Sequence, residues 1–175
     1  MKILLLDIFA LLHRSYHALP KLTTLQGEPI GAVYGFTSVL LKALKELKPD
    51  VVISAIDLPG PTFRHREFTG YQATRPPTPK ELAMQVDKIK ELLKTLNIPV
   101  YAMPGYEADD VIGSIIEKMK AEKDIEIIIL TGDLDALQLV SPNVHVYAIK
   151  KGVSEVKIYD EAEFKARFGF KPKYL

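Results

Sequence analysis

Three near-continuous apolar runs, residues 3–6, 51–56 and 125–130, lead respectively into Asp7, Asp57 and the cluster Asp133-Leu134-Asp135. Runs without polar alternation are what strands buried on both faces look like, and such strands occur in parallel sheets covered by helices. Between the first two runs, residues 34–47 place Phe36, Val39, Leu40, Ala43, Leu44 and Leu47 at helical spacing, and Lys48-Pro49-Asp50 stops that helix. Strand, helix, strand favours a right-handed parallel crossover. The expected fold class is therefore α/β, a central and mostly parallel sheet flanked by helices.

Further along, the spacing predicts a helix over about 80–97, a short strand over 98–102 and a helix over 107–122. A short helix over 136–140 and a hairpin of strands 144–149 and 153–158 around Lys150-Lys151-Gly152 follow. Asp160 is placed to cap a last helix running to Phe168, with Gly169 as its stop. Residues 58–79 differ in kind: Pro59, Gly60, Pro61, Gly70, Pro76, Pro77 and Pro79 punctuate a segment that carries Arg64, His65, Arg66 and Arg75. They read as one long basic loop, and long loops in compact domains are usually functional.

At 175 residues the chain fits a single domain, 1–175, with 47% hydrophobic and 26% charged residues, an ordinary globular balance. No apolar run approaches the roughly 20 residues a membrane span needs, and the first run is too short for a signal peptide's core. With no cysteine, disulfides, thiolate zinc sites and cysteine nucleophiles are excluded. A soluble cytoplasmic protein with no membrane partner is the expectation. The net charge of +1 leaves nucleic acid open, because only a local basic surface matters.

Glu107-Ala108-Asp109-Asp110 opens the helix predicted over 107–122, so with Asp7, Asp57, Asp133 and Asp135 seven carboxylates stand at element ends. In a parallel sheet such ends converge on one edge, where ligands bind. Like charges gathered there repel unless a divalent cation neutralises them. Glu107 and Asp110 are three residues apart and can share a helix face, with Asp109 about 100° away. One ion held by Glu107 and Asp110, with Asp109 reaching a neighbour, is one arrangement. The bland alternatives are an acidic first turn that complements the helix dipole and aspartates that shape a turn after a strand. Oxygen-only donors favour Mg²⁺ or Mn²⁺ over Zn²⁺. His13, His17, His65 and His145 show no ligand spacing that meets the acids; His13 and His17 read as a partly buried helix face.

On the substrate side, Phe63-Arg64-His65-Arg66 and Tyr71-Gln72-Ala73-Thr74-Arg75 combine cations that neutralise phosphates with aromatics that stack on bases. Arg14 could reach the same cleft from a helix after Asp7. A solvated charged loop and a surface arginine are the alternatives.

Assembled, these residues resemble the N-terminal nuclease domain of the 5′→3′ exonuclease and flap endonuclease family, in the form fused to bacterial DNA polymerase I. The resemblance runs from Leu4-Leu5-Leu6-Asp7 to Phe168-Gly169. It is carried by Arg14-Ser15-Tyr16-His17-Ala18-Leu19-Pro20, Gly27-Glu28-Pro29, Ala32-Val33-Tyr34-Gly35-Phe36 and Pro61-Thr62-Phe63-Arg64-His65. Arg75-Pro76-Pro77-Thr78-Pro79, Gly105-Tyr106-Glu107-Ala108-Asp109-Asp110-Val111 and Asp135-Ala136-Leu137-Gln138-Leu139-Val140 complete it. The resemblance implies a PIN-like (resolvase-like) fold and metal-dependent hydrolysis at DNA 5′ ends and flaps, with RNA as an alternative. It implies a replication and repair setting and a fused or separate DNA polymerase as partner.

By the same resemblance, Asp7, Asp57, Glu107, Asp109, Asp110, Asp133 and Asp135 are metal ligands in a two-metal site. Arg64 and Arg75, with Asp109 and Asp133, are catalytic. Arg14, Arg64, Arg66, Tyr71, Gln72 and Arg75 face nucleic acid, and about 68–84 resembles the helical arch that passes a single-stranded 5′ end. The chain departs from the family at Ile8, where a glycine usually follows the first-strand aspartate and a β-branched residue could crowd the metal. Gln72 replaces a lysine after the arch tyrosine, removing a cation from the phosphate, and Leu134 stands where a basic residue is common. No helix-hairpin-helix region with further aspartates follows Tyr174, so the second metal's ligands are expected to be incomplete. A catalytically impaired nucleic-acid-binding fragment is the competing reading. A receiver-like phosphoacceptor and a dehalogenase-type phosphatase fare worse, because the acidic pair each needs after the first strand is only Asp7. No lysine-bearing phosphate loop supports nucleotide hydrolysis.

Overall fold

The computed structural model describes every residue except 21, 75, 123, 153 and 154. Its sheet takes the order β3-β2-β1-β4-β5-β6, built from β1 (Lys2–Asp7), β2 (Val51–Ala55), β3 (Val100–Tyr101), β4 (Glu126–Thr131), β5 (Val144–Lys151) and β6 (Glu155–Tyr159). The first five strands pair in parallel and β6 returns antiparallel. Helices α1 (Ile8–Ala18), α2 (Gly31–Leu47), α3 (Phe63–Glu67), α4 (Lys80–Thr95), α5 (Ala108–Met119) and α6 (Glu161–Phe168) connect and cover them.

The first and third apolar runs are buried on both faces, as their lack of alternation requires, while β2 is exposed at Val51 and becomes buried toward Ala55. Leu4 and Leu6, in register with Ile128 and Leu130, face one core with Leu11, Phe36, Leu40 and Ile89 from α1, α2 and α4. Ile3 and Leu5, in register with Ile127 and Ile129, face the other core with Ile112, Ile116 and Phe164 from α5 and α6. Each fully buried Leu or Ile of this kind contributes roughly 1.5–3 kcal/mol. The chain winds outward from β1 to β3 and then crosses back through α5 to β4, on the other side of β1. The winding reverses at β1, the switch point beside which open α/β sheets hold their ligands.

A polar contact holds two helices of the first layer in place. Ile30 precedes α2 without a side-chain cap. Gln85 of α4, buried at 1% exposure, accepts the Ala32 and Val33 amides at 2.9 and 3.2 Å and donates to the Glu81 carbonyl at 2.8 Å. Asp160 caps α6 by accepting the Glu163 amide at 2.7 Å, and Gly169 ends it at φ 80°, where a Cβ would be strained.

Several expected elements differ in detail. The basic segment 58–79 contains the short helix α3, started by Thr62 and His65 in a reciprocal cap. The strand expected at 98–102 is reduced to Val100–Tyr101, a short edge strand, which suits an edge that must not recruit other chains. The helix expected at 136–140 is a 3₁₀ turn, Asp135–Leu139. In the hairpin, a register shift falls between Ile149 and Lys151, and β6 begins at Glu155; Val153 lies outside the described residues. Within 68–84, residues 68–74 form turns and the chain becomes helical at Lys80. Among the described residues no helix is long and apolar enough to cross a membrane.

Candidate functional site

The C-terminal ends of β1, β2 and β4 and the N-terminus of α5 gather the acidic residues. Asp7 closes β1 and caps α1, its Oδ1 accepting the Ala10 amide at 3.2 Å. Its Oδ2 accepts from the Thr131 hydroxyl at 2.8 Å, and that hydroxyl accepts the Asp133 amide at 3.0 Å. One buried threonine at the end of β4 thus fixes carboxylates from two neighbouring strands. Gly132 makes the turn possible: a Cβ there would lie 2.7 Å from the Ala10 carbonyl oxygen and 3.1 Å from the Arg14 Cβ. Asp57, just past β2, accepts the Ala108 amide at 3.0 Å and so pins the start of α5.

Glu107 and Asp110 form a reciprocal cap on α5, Asp110 Oδ2 accepting the Glu107 amide at 2.9 Å. Asp109 points elsewhere, as the 100° helical step requires. Burial pushes the Asp109 carboxyl up to about 7, and the charges of Asp7, Asp133, Asp57 and Glu107 push it the same way. Burial likewise pushes Asp7 up to about 6 against its two hydrogen bonds, with Asp57 and Asp133 adding to the rise. Asp7, Asp57, Asp109 and Asp133, with Glu107 at the border, therefore share one electrostatic neighbourhood, and among the described residues no cation lowers the Asp7 or Asp109 carboxyl.

Glu107 and Asp110 belong to a second arrangement. The Arg64 guanidinium on α3 grips Asp110 with both arms, Nη1 to Oδ2 at 2.7 Å and Nη2 to Oδ1 at 2.8 Å. Its Nη1 lies 3.5 Å from Glu107 Oε2, and its Cζ sits 4.7 Å from the centre of the Phe63 ring. The fork holds Asp110 below the usual carboxylate range and raises Arg64. The Tyr71 hydroxyl donates to Glu107 Oε2 at 3.0 Å, with its ring edge-on to His65 at 5.2 Å. Burial first, then Glu107, raises the Tyr71 phenol. A backbone bond from the Phe63 amide to the Gly105 carbonyl, 2.9 Å, fastens α3 to the loop before α5.

The remaining residues singled out from sequence are more dispersed. Ile8 is fully buried in the core with a negative φ, so it does not crowd the acidic edge. Arg14 lies against the Gly132 turn, and its guanidinium donates to the Lys150 carbonyl. Arg66 is exposed beside Gly105. Gln72, at φ 52°, donates to the Tyr71 hydroxyl at 3.2 Å. Asp133, Leu134 and Asp135 are exposed, and the Asp135 amide donates to Asp133 Oδ1 at 3.0 Å. Arg75 lies outside the described residues. His13 and His17 follow one another along α1, their tilted rings 6.3 Å apart between centres.

As placed, no three described His, Asp or Glu side chains converge tightly enough to grip one ion. The donor set still fits a hard divalent cation: all oxygen, with burial first and mutual repulsion adding to it lifting two carboxyls toward neutrality. Sequence reasoning missed Thr131, whose only signal is its place between a buried strand and Gly132-Asp133. It also missed the Arg64–Asp110 pairing, which joins residues 46 apart.

Residues 2–169 match the family described as 5′-3′ exonuclease, N-terminal resolvase-like domain. The chain belongs to that family. The exonuclease domain is 49% identical over 146 residues to the thermostable DNA polymerase I of Thermus aquaticus, covering 83% of this chain and 17% of that protein. It is 39% identical over 171 residues to DNA polymerase I of Caldicellulosiruptor bescii, covering 97% and 20%. It thus spans about a fifth of these relatives' length. Its fold matches that of T5 5′-exonuclease with bound divalent metal ions (zinc), at a TM-score of 0.76 and 18% identity over 99% of this chain and 63% of that one. The catalytic core of Rad2 in complex with DNA substrate follows at 0.54 and 20%, over 98% and 51%.

Proposed function

We propose that this exonuclease domain hydrolyses phosphodiester bonds at DNA 5′ ends and flaps with Mg²⁺ or Mn²⁺, as the N-terminal unit of a DNA polymerase I acting in replication and repair. The observation that carries the proposal is the mutually repelling cluster of Asp7, Asp57, Asp109 and Asp133 at the sheet's switch point, bordered by Glu107. A bound divalent ion supplies a hydroxide nucleophile and neutralises the phosphate. The protein's own residues hold and orient. Thr131 keeps Asp7 and Asp133 in mutual register, and Asp57 anchors the start of α5 that bears Asp109.

Asp110 and Asp135 complete the proposed ligand set, Asp135 toward a second metal. Arg64 and Arg75 neutralise the scissile phosphate, and Arg14, Arg66, Tyr71 and Gln72 contact the strand around it. Segment 68–84 serves as the arch for a single-stranded 5′ end. The T5 enzyme's metal-bound state and the Rad2 core's DNA complex support this reading of the shared fold.

The experiment is cleavage of a labelled 5′-flap duplex by the 175-residue chain in Mg²⁺, with EDTA and with Asp109→Asn and Asp133→Asn. Metal-dependent release of the flap, lost in both variants, is expected. DNA binding without cleavage at saturating Mg²⁺ would instead establish the impaired, nucleic-acid-binding reading.

A further inference from the structure

Glu107 is shared between the two arrangements at the mouth of the site. Its charge acts on Asp109, in the carboxylate cluster, while its Oε2 is held by the Tyr71 hydroxyl at 3.0 Å and faces Arg64 Nη1 at 3.5 Å. Asp110, by contrast, is committed to Arg64 through two short bonds. The Glu107 side chain also accepts the Asp110 amide in the cap of α5; a cation entering the cluster attracts it, and any movement toward the cation stretches its bond to Tyr71. That bond ties the turns of residues 68–74 to the start of α5; within the turns the Tyr71 amide donates to the Phe68 carbonyl at 3.0 Å and the Ala73 amide to the Gly70 carbonyl at 3.2 Å. The root of the segment is fastened separately, by the Phe63–Gly105 backbone bond at 2.9 Å.

The geometry points to Tyr71 as a metal-responsive latch: its hydroxyl holds Glu107 back from the carboxylate cluster until a divalent ion takes Glu107 over, which frees Tyr71 and the turns at 68–74 to meet a nucleic-acid strand. Tyr71 is then a positioning residue acting through Glu107, in addition to any stacking role. The inference rests on the metal-dependent reading above. Because binding couplings are reciprocal, whatever the ion does to the latch the latch does to the ion. Opening the latch by mutation must therefore tighten metal binding.

The test is titration calorimetry with Mg²⁺ alone on wild-type and Tyr71→Phe protein, alongside hydrogen exchange of the 68–74 amides with and without saturating Mg²⁺. Phenylalanine keeps the ring against His65 and removes only the hydroxyl, and matching circular dichroism shows that the variant folds. Tyr71→Phe is expected to bind Mg²⁺ roughly three- to tenfold more tightly, the scale of one half-exposed hydrogen bond to a charged acceptor. In wild type, Mg²⁺ speeds exchange at 68–74; in the variant exchange is already fast and Mg²⁺ adds nothing. Equal Mg²⁺ affinity in the two proteins, or wild-type exchange at 68–74 that saturating Mg²⁺ leaves unchanged, overturns the latch while leaving the metal site standing. Absence of Mg²⁺ binding in both proteins overturns the latch and the metal-dependent reading together.

Discussion

The Thr131 hydroxyl donates to Asp7 at 2.8 Å while accepting the Asp133 amide at 3.0 Å, so one side chain with no solvent exposure sets the spacing of carboxylates from β1 and the β4 turn. Thr131→Val keeps the shape and removes both bonds, leaving the Asp7 carboxylate buried with one partner fewer. A stability loss of about 1–3 kcal/mol follows, or a fall in Tm of roughly 3–10 °C. Thermal denaturation checks this, and the deficit should be larger at pH 8, where Asp7 is charged, than at pH 5.

Asp7 and Asp109 make the metal-free domain sensitive to pH in an unusual direction. Both carboxyls are raised by folding, to about 6 and about 7. Between their unfolded values and these, the native state binds more protons than the unfolded one, so stability falls as pH rises. Their contribution is full below about pH 4 and is lost as pH climbs through 6 to 7. Asp110, lowered by Arg64, works oppositely and loses its contribution on acidification below about pH 4. Urea midpoints in EDTA should therefore decline from about pH 5 to pH 8; a rise over that range would contradict the buried, mutually repelling arrangement.

Arg64→Lys keeps the charge at Asp110 but loses the two-armed grip. Because Arg64 and Asp110 side chains are 30% and 21% exposed, solvent screens the pair and the coupling is about 1 kcal/mol. A double-mutant cycle of Arg64→Ala with Asp110→Asn measures it. Arg64→Lys should fall nearer to Arg64→Ala than to wild type, since the fork contributes more than the charge.

The strands β1 and β4 were legible because burial on both faces leaves an unbroken apolar run, and the acids were legible because they directly end such runs. Their partners were not. Glu107 and Asp110 do share a helix face, as three-residue spacing dictates, yet the cation on that face is Arg64 from a helix 40 residues upstream. Asp109, one step around the helix, is the member that meets Asp7 and Asp133. Helix α3 was hidden because five residues between prolines and glycines carry no periodicity; the Thr62–His65 cap and the bond to Gly105 create it. Arg14 was expected at the cleft and lies against the Gly132 turn, but its bond to a strand carbonyl 136 residues away could not be read from the sequence. Each miss is a contact between segments distant in sequence, where local pattern carries no information.

The central claim is that Asp7, Asp57, Asp109 and Asp133 await a divalent cation, and the most direct measurement is the Mg²⁺-induced change in Tm at pH 8 for wild type and Asp109→Asn. The account predicts a saturable rise in wild type that shrinks at pH 5.5, where Asp7 and Asp109 are protonated, and is largely lost in Asp109→Asn. A wild-type Tm indifferent to millimolar Mg²⁺ at pH 8, or a rise that Asp109→Asn retains in full, would contradict it.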